Sequence, residues 1–199
     1  DSLVSYLSGD NAWLRASAHN LIVDENMTGL APQLRTLMRE GSVLTGRIQA
    51  LWVLEGLHQL KEQDLGALLP GAPLRLTQQV MAAAISLMGS RADAAYWLHT
   101  QARWLDSTDK AIAPYVAYLA GKAMRYDPAE AQARLLKTAA ANTGDRMVAD
   151  AVISALHDKE SAFLTEYRHY IKDSSDAFIT RIKKVILGAK QMAIAQEAR

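Results

Sequence analysis

The sequence predicts an all-α chain folded as a solenoid of about five to six helix pairs. Three observations carry this. Apolar residues recur at three- and four-residue steps, as in Leu14, Ala18, Leu21, then Leu34, Leu37, then Ile48, Leu51, Leu54, which is helical periodicity. No alternating strand pattern and no Asn-Gly hairpin signal interrupts it. The pattern also repeats on a fixed step. Arg15, Ala18 and Ile22 share their spacing with Arg47, Ala50, Leu54, with Val80, Ala83, Leu87, and with Arg146, Ala149, Ile153. Successive sets lie 32, 33 and twice 33 residues apart. The skipped unit falls near Ala113–Ala120, where a helix containing Val116 and Leu119 is expected, and a further step lands on Ile179. A period of about 30–45 residues made of helix pairs is a solenoid signature. The small residues at the middle position (Ala18, Ala50, Ala83, Ala149) let neighbouring helices approach closely. Each pair buries its apolar face only by stacking on the next.

The elements follow in order. First helices are expected near 11–24, 43–57, 74–88, 109–121, 144–157 and 176–196. Second helices are expected near 28–40, 62–69, 91–105, 128–141 and 159–171. Asp127-Pro128-Ala129-Glu130 is a helix start with a capping Asp and a proline at the first helical position. Ser90-Arg91-Ala92-Asp93 resembles a capping box, and Thr143 and Asp158 are further expected caps. Gly41, Gly71 and Gly89 stand where helices should stop. No linker-like stretch splits the chain, so it reads as a single domain over 1–199.

Composition bounds the chemistry. The 199 residues carry 22 Lys+Arg against 21 Asp+Glu, and no Cys. Without Cys there is no disulfide, thiolate metal site, Fe–S cluster, Cys nucleophile or covalently attached haem within these residues. The balanced charge speaks against a strong non-specific nucleic-acid binder. No apolar run approaches the roughly 18–20 residues that span a bilayer. The chain opens on Asp1 rather than Met and shows no signal-peptide pattern. It therefore reads as a processed or excised piece of a longer protein, whose flanks would carry the signal peptide, the cofactor and the catalysis.

Motifs that would carry chemistry are absent from the sequence. His19, His58, His99, His157 and His169 are dispersed, without metal-ligand spacing. His157, Asp158, Glu160 and His169 read as a solvated helix end rather than a site. No dinucleotide or P-loop glycine pattern and no nucleophile elbow occurs. The acid pairs Asp24-Glu25 and Glu62/Asp64 fall at turns or helix starts, where the helix dipole favours them. The row Arg15, Arg47, Arg146 could bind an anion. It reads better as a ladder pairing with neighbouring acids and carbonyls.

The candidate interaction surface is Trp97, Gln101, Arg103 and Trp104. The two Trp lie seven apart, on one helical stripe, displaced from the core face Ala94, Leu98, Ala102 and Leu105. They either anchor an interface, as Trp and Arg do in binding hot spots, or fill space between repeats. The last segment is basic, with Lys172, Arg181, Lys183, Lys184, Lys190 and Arg199 against Asp173, Asp176 and Glu197. With its apolar face of Ile179, Ile182, Ile186 and Ala189, it reads as a terminal capping helix with a solvated outer face.

Two runs carry a family resemblance. Asn11-Ala12-Trp13-Leu14-Arg15-Ala16-Ser17-Ala18-His19-Asn20-Leu21-Ile22 and Arg47-Ile48-Gln49-Ala50-Leu51-Trp52-Val53-Leu54-Glu55-Gly56-Leu57 are similar to units of the HEAT-like domain of large secreted bacterial putative membrane-bound dehydrogenases. In that family the helical domain follows a sugar-dehydrogenase-like β-propeller and precedes a cytochrome c domain. The resemblance implies a HEAT-like α-α superhelix with second helices lining its concave side. It implies a periplasmic or extracellular location and a neighbour of redox domains. It implies no cofactor and no catalytic residue within this fragment. Partners would be neighbouring domains of the same chain or another protein, with no specific nucleic acid. The contrasting expectation is a HEAT-type enzyme such as a DNA-base glycosylase or a bilin lyase-like protein. The first of these needs a basic groove, whereas residues 1–70 carry five positive and eight negative charges.

Overall fold

The computed structural model describes residues 3–106, 109–171 and 176–197. Among them every regular element is helical. The chain divides into two compact units, Asp1–Leu87 and Met88–Arg199, where the sequence reading draws one domain.

The first unit holds α1 (Leu3–Tyr6), α2 (Ala12–Asp24), a 3₁₀ turn at Thr28–Leu30, α3 (Ala31–Glu40), α4 (Leu44–Gly56), α5 (Glu62–Leu68) and α6 (Leu74–Leu87). The Asn11 carboxamide oxygen starts α2 by accepting the Trp13 and Leu14 amides at 2.9 and 3.2 Å. This satisfies two of the orphan first-turn donors. α4 packs against α2, α3 and α6. Ala18, Ala50 and Ala83, the expected small positions, are all buried. Gly56 shows how close α2 and α4 run: a Cβ there would lie 3.0 Å from a Val23 methyl.

The second unit begins with α7 (Arg91–Ala95), which passes through a π-helical turn at Tyr96–Thr100 into α8 (Ala102–Leu105). It continues with α9 (Ala113–Ala123), α10 (Pro128–Ala141), α11 (Arg146–Leu156), α12 (Glu160–Tyr170) and α13 (Ala177–Glu197). α9 packs against α10 and α11, and α11 against α13. The register holds here too. Val116, Leu119 and Ala149 are buried, as are Ile179 and Ile182 of α13. Gly121 again marks a close approach, since a Cβ at that position would meet the Ala155 Cβ at 2.7 Å. Lys172, Asp173 and Arg199 of the expected basic segment lie outside the described residues.

The caps are partly as expected. The Ser90 hydroxyl accepts the Asp93 amide at 3.2 Å, and the Asp93 carboxylate accepts the Gly89 amide at 3.1 Å. Asp127 accepts the Glu130 amide at 3.3 Å, with Pro128 opening the helix. Two expectations fail. Asp145, not Thr143, caps α11, accepting the Met147 and Val148 amides. Asp158 caps nothing: its backbone sits at φ 68°, beside His157 at 43°, and Lys159 precedes α12 without a side-chain cap. The left-handed pair His157–Asp158 ends α11 and leaves Lys159, which offers no side-chain acceptor, at the start of α12.

The last two helices share an aromatic core. Phe163, Tyr167 and Phe178 are buried, with the Tyr167 and Phe178 ring centroids 4.7 Å apart. The Tyr167 hydroxyl donates to Asp176 at 3.4 Å, while the other Asp176 oxygen accepts the Phe178 and Ile179 amides at the start of α13. Burial, reinforced by the Asp176 charge, raises the Tyr167 pKa above the usual tyrosine range.

Ala50 is fully buried at the α4 position that recurs through the chain. Ala50→Arg places a long charged chain there, and overpacking plus an unpaired charge costs about 3 kcal/mol or more. A chemical-denaturation curve of the variant checks this, and an unchanged midpoint would show the register to be misread.

Candidate interaction surface

The π turn decides the fate of the Trp stripe. Each π-helical residue turns the chain by less than an α-helical one, so a seven-residue spacing across Tyr96–Thr100 no longer places two side chains on one face. Trp97 is 0% exposed and packs edge-on against Tyr96, ring centroids 5.6 Å apart. It is core in this conformation and presents no surface to a partner. Trp104 is half-buried. Its indole Nε1 is buried with no hydrogen-bond partner among the described residues, and the Arg103 guanidinium lies 5.2 Å from its ring centroid. Gln101 donates its amide to the Tyr96 hydroxyl at 3.0 Å. Of the four residues, Arg103 and Trp104 pair with each other, while Trp97 and Gln101 both contact Tyr96. Ala94, Leu98 and Leu105 are buried as expected, and Ala102 only partly.

A polar cluster fixes the end of α8 to α10. The Asp106 carboxylate accepts from Arg134 at 2.5 Å and from Lys137 at 2.6 Å, and Arg134 also reaches Glu130 at 2.9 Å. The Lys137 hydrogen bond, with the Arg134 charge beside it, holds the Asp106 carboxyl below the usual range against a smaller opposing effect of burial. Asp127 is also lowered, first by the Glu130 amide it caps and then by the hydrogen bond from His99, whose Nε2 lies 3.1 Å away. Asp106, Arg134, Lys137, Leu136 and Tyr170 line a cleft of about 300 Å³. A neighbouring cleft of about 430 Å³ runs along Ala129, Gln132, Ala133 and Leu136 of α10 to Glu166 of α12. Gln132 and Glu166 join across it at 2.5 Å. The sequence reading missed this second-helix groove. The spacing of Ala129, Gln132, Ala133 and Leu136 was visible, but a small-residue stripe on a helix reads equally as core.

The arginine row splits. Arg15 donates to the carbonyls of Gly9 and Asp10 at 2.6 and 2.8 Å, and Arg47 to the Met38 carbonyl at 2.9 Å. Both tie down backbone carbonyls just upstream, as a ladder would. Arg146 has no hydrogen-bond or ion-pair partner among the described residues; it lines an open cleft of about 220 Å³ with Arg181 and Lys184. Of the acid pairs, Asp64 is buried at the start of α5 and held by Arg35 at 3.3 Å and Arg39 at 2.6 Å. His19 bonds Gln49 at 2.9 Å and His169 the Thr165 carbonyl at 2.7 Å. Among the described residues no group of three His, Asp or Glu could hold a metal ion. No helix among them is long and apolar enough to cross a membrane.

The two Trp should separate in a thermal melt. Trp97→Ala opens a cavity in a packed core and costs about 3–5 kcal/mol. Trp104→Ala costs less, because the side chain is already partly exposed and the change removes a buried unpaired donor. The reverse order would contradict this placement.

Asp106 sets a pH test. Its folded pKa lies below the unfolded value of about 3.9, so its stabilising contribution is present above about pH 4 and fades as pH falls through the lowered folded value. Wild type should exceed Asp106→Asn in stability at pH 7, and the gap should close at pH 2. A gap independent of pH would disprove the charged cluster. No family model, no curated protein and no solved structure matches the chain.

Proposed function

We propose that the chain is a non-catalytic helical-repeat module, a HEAT-like α-α superhelix, that mediates protein or interdomain contacts. In this reading it adjoins a sugar-dehydrogenase-like propeller and a cytochrome c domain in an extracytoplasmic redox protein. The observation that supports it best is the use made of polar side chains. They join elements about one repeat step apart: His19 to Gln49, Trp52 to Gln79, Glu55 to Ser86, Gln132 to Glu166 and Asp106 to Lys137. Groups that could do chemistry are spent on holding neighbours in register. The α10–α12 groove offers small and apolar side chains with a polar rim, as a protein-binding surface does. The neighbouring redox domains come from the resemblance of residues 11–22 and 47–57 alone.

Calorimetry tests the reading, with a sugar-dehydrogenase-like propeller and a cytochrome c domain of that family expressed separately as ligands. Association with one of them is expected, weakened at least tenfold by Leu136→Glu in the groove. A titration with duplex DNA addresses the enzyme alternative. No saturable binding is expected at 0.15 M salt, and tight binding with a steep salt slope would overturn the proposal in favour of a DNA-acting enzyme.

A further inference from the structure

Six contacts define which side of a first helix meets the first helix before it. In α4 they are Gln49, bonded to His19 of α2, and Gly56, packed on Val23. In α6 they are Gln79, bonded to Trp52, and Ser86, bonded to Glu55. In α11 the contact is Ala155, against Gly121 of α9, and in α13 it is Arg181, paired with Asp150. Shifted by whole steps of 33 residues, all six fall on one stripe: positions 79, 82, 86 and 89 in the numbering around α6. Carried back to α2 by one step of 33 and the first step of 32 that separates Arg15 from Arg47, the stripe is Leu14, Ser17, Leu21 and Asp24. There Leu14, Leu21 and Asp24 are exposed and Ser17 is partly buried. Leu14 is 38% exposed and Leu21 43%, with Trp13 beside them at 72%. α2 therefore carries exposed leucines on a side other than the one packed on α4.

The same register gives the opposite side. Residues that face the following first helix are Trp52 and Glu55 in α4, Gly121 in α9 and Asp150 in α11. Their equivalents in α13 are Lys184, Leu187 and Lys183, all exposed, with Leu187 at 59%.

We propose that the exposed stripe of α13 in one copy of this chain seats on the exposed stripe of α2 in the next, head to tail. This continues the packing that α4, α6, α11 and α13 already show. Replaying the Glu55–Ser86 contact sets Leu187 against the partner copy's Leu21, apolar on apolar. Replaying the Asp150–Arg181 contact sets Lys183 beside the partner copy's Ser17. Charge favours the same pairing. α2 is flanked by Asp10, Asp24 and Glu25, and residues 1–87 carry six Lys+Arg against eight Asp+Glu, while residues 88–199 carry sixteen against thirteen. The interface joins two different patches, so each contact leaves one of each free, and assembly extends beyond a dimer or closes a ring. The inference rests on the repeat register and not on the redox-domain reading above.

Sedimentation velocity tests it. Wild type is expected to gain mass with concentration. Leu21→Glu and Leu187→Glu, both at exposed positions, should each remain monomeric with unchanged melting. Mixed one to one, they should form dimers and nothing larger, because each supplies the face that the other has lost. A wild type that stays monomeric throughout, or a mixture that does not pair, would overturn the proposal. The chain has no Cys, which gives a second reading free of background. Leu21→Cys and Leu187→Cys chains, mixed under mild oxidation, should yield the 21–187 cross-link at least tenfold over either self-cross-link. Equal or predominant self-cross-links would overturn the proposal as well.

Discussion

Everything in this structure depends on one constraint: a short helix cannot bury its apolar side alone and must lay it against neighbouring helices, as α4 does on α2 and α3 and α9 on α10 and α11. Isolated helices of this length are marginal in water, and the longest of the first five repeated helices, α6, runs only from Leu74 to Leu87. Tertiary packing therefore supplies their stability, and the packing is sequence-local. Small residues permit the approach: a Cβ at Gly121 would sit 2.7 Å from the Ala155 Cβ. Buried Ala at positions 18, 50, 83 and 149 serves the same end.

Polar groups then fix the register that the apolar contacts leave loose. A helix can slide or rotate against a smooth apolar partner at little cost. A bond such as Trp52 to Gln79 at 2.7 Å, or the buried Asp64 held by Arg35 and Arg39, has one geometry. Breaking either leaves a desolvated group unpaired, which costs more than the bond itself contributes. The Asp106–Arg134–Lys137 cluster does the same where α8 ends, tying it to α10.

The helical class and the buried small positions were legible in the sequence because they are written in residue size and spacing. The Arg15/Ala18/Ile22 spacing located the first helices, and Asp127-Pro128 marked the start of α10. Other features depend on information that no local pattern carries. A π turn has no residue signature, so the phase between Trp97 and Trp104 could not be read, and one of them proved to be core. Thr143 and Asp145 are both competent caps; the choice between them follows from where α11 begins, at Arg146. The Asp106 cluster joins residues 28 and 31 apart, which becomes meaningful only once the repeat step places them side by side. The α10–α12 groove is a surface rather than a pattern, and it exists only where two second helices meet.

Nuclear Overhauser spectroscopy measures the close approach of α2 to α4 and of α9 to α11 directly. A uniformly labelled sample should show cross-peaks from the Gly121 Hα to the Ala155 methyl and from the Gly56 Hα to the Val23 methyls. These pairs are far apart in sequence, and a Cβ on either glycine would touch its partner at 2.7 and 3.0 Å respectively. Both cross-peaks are predicted. Their absence, with either glycine correlated instead to side chains off the repeat step, would contradict the packing from which the rest is built.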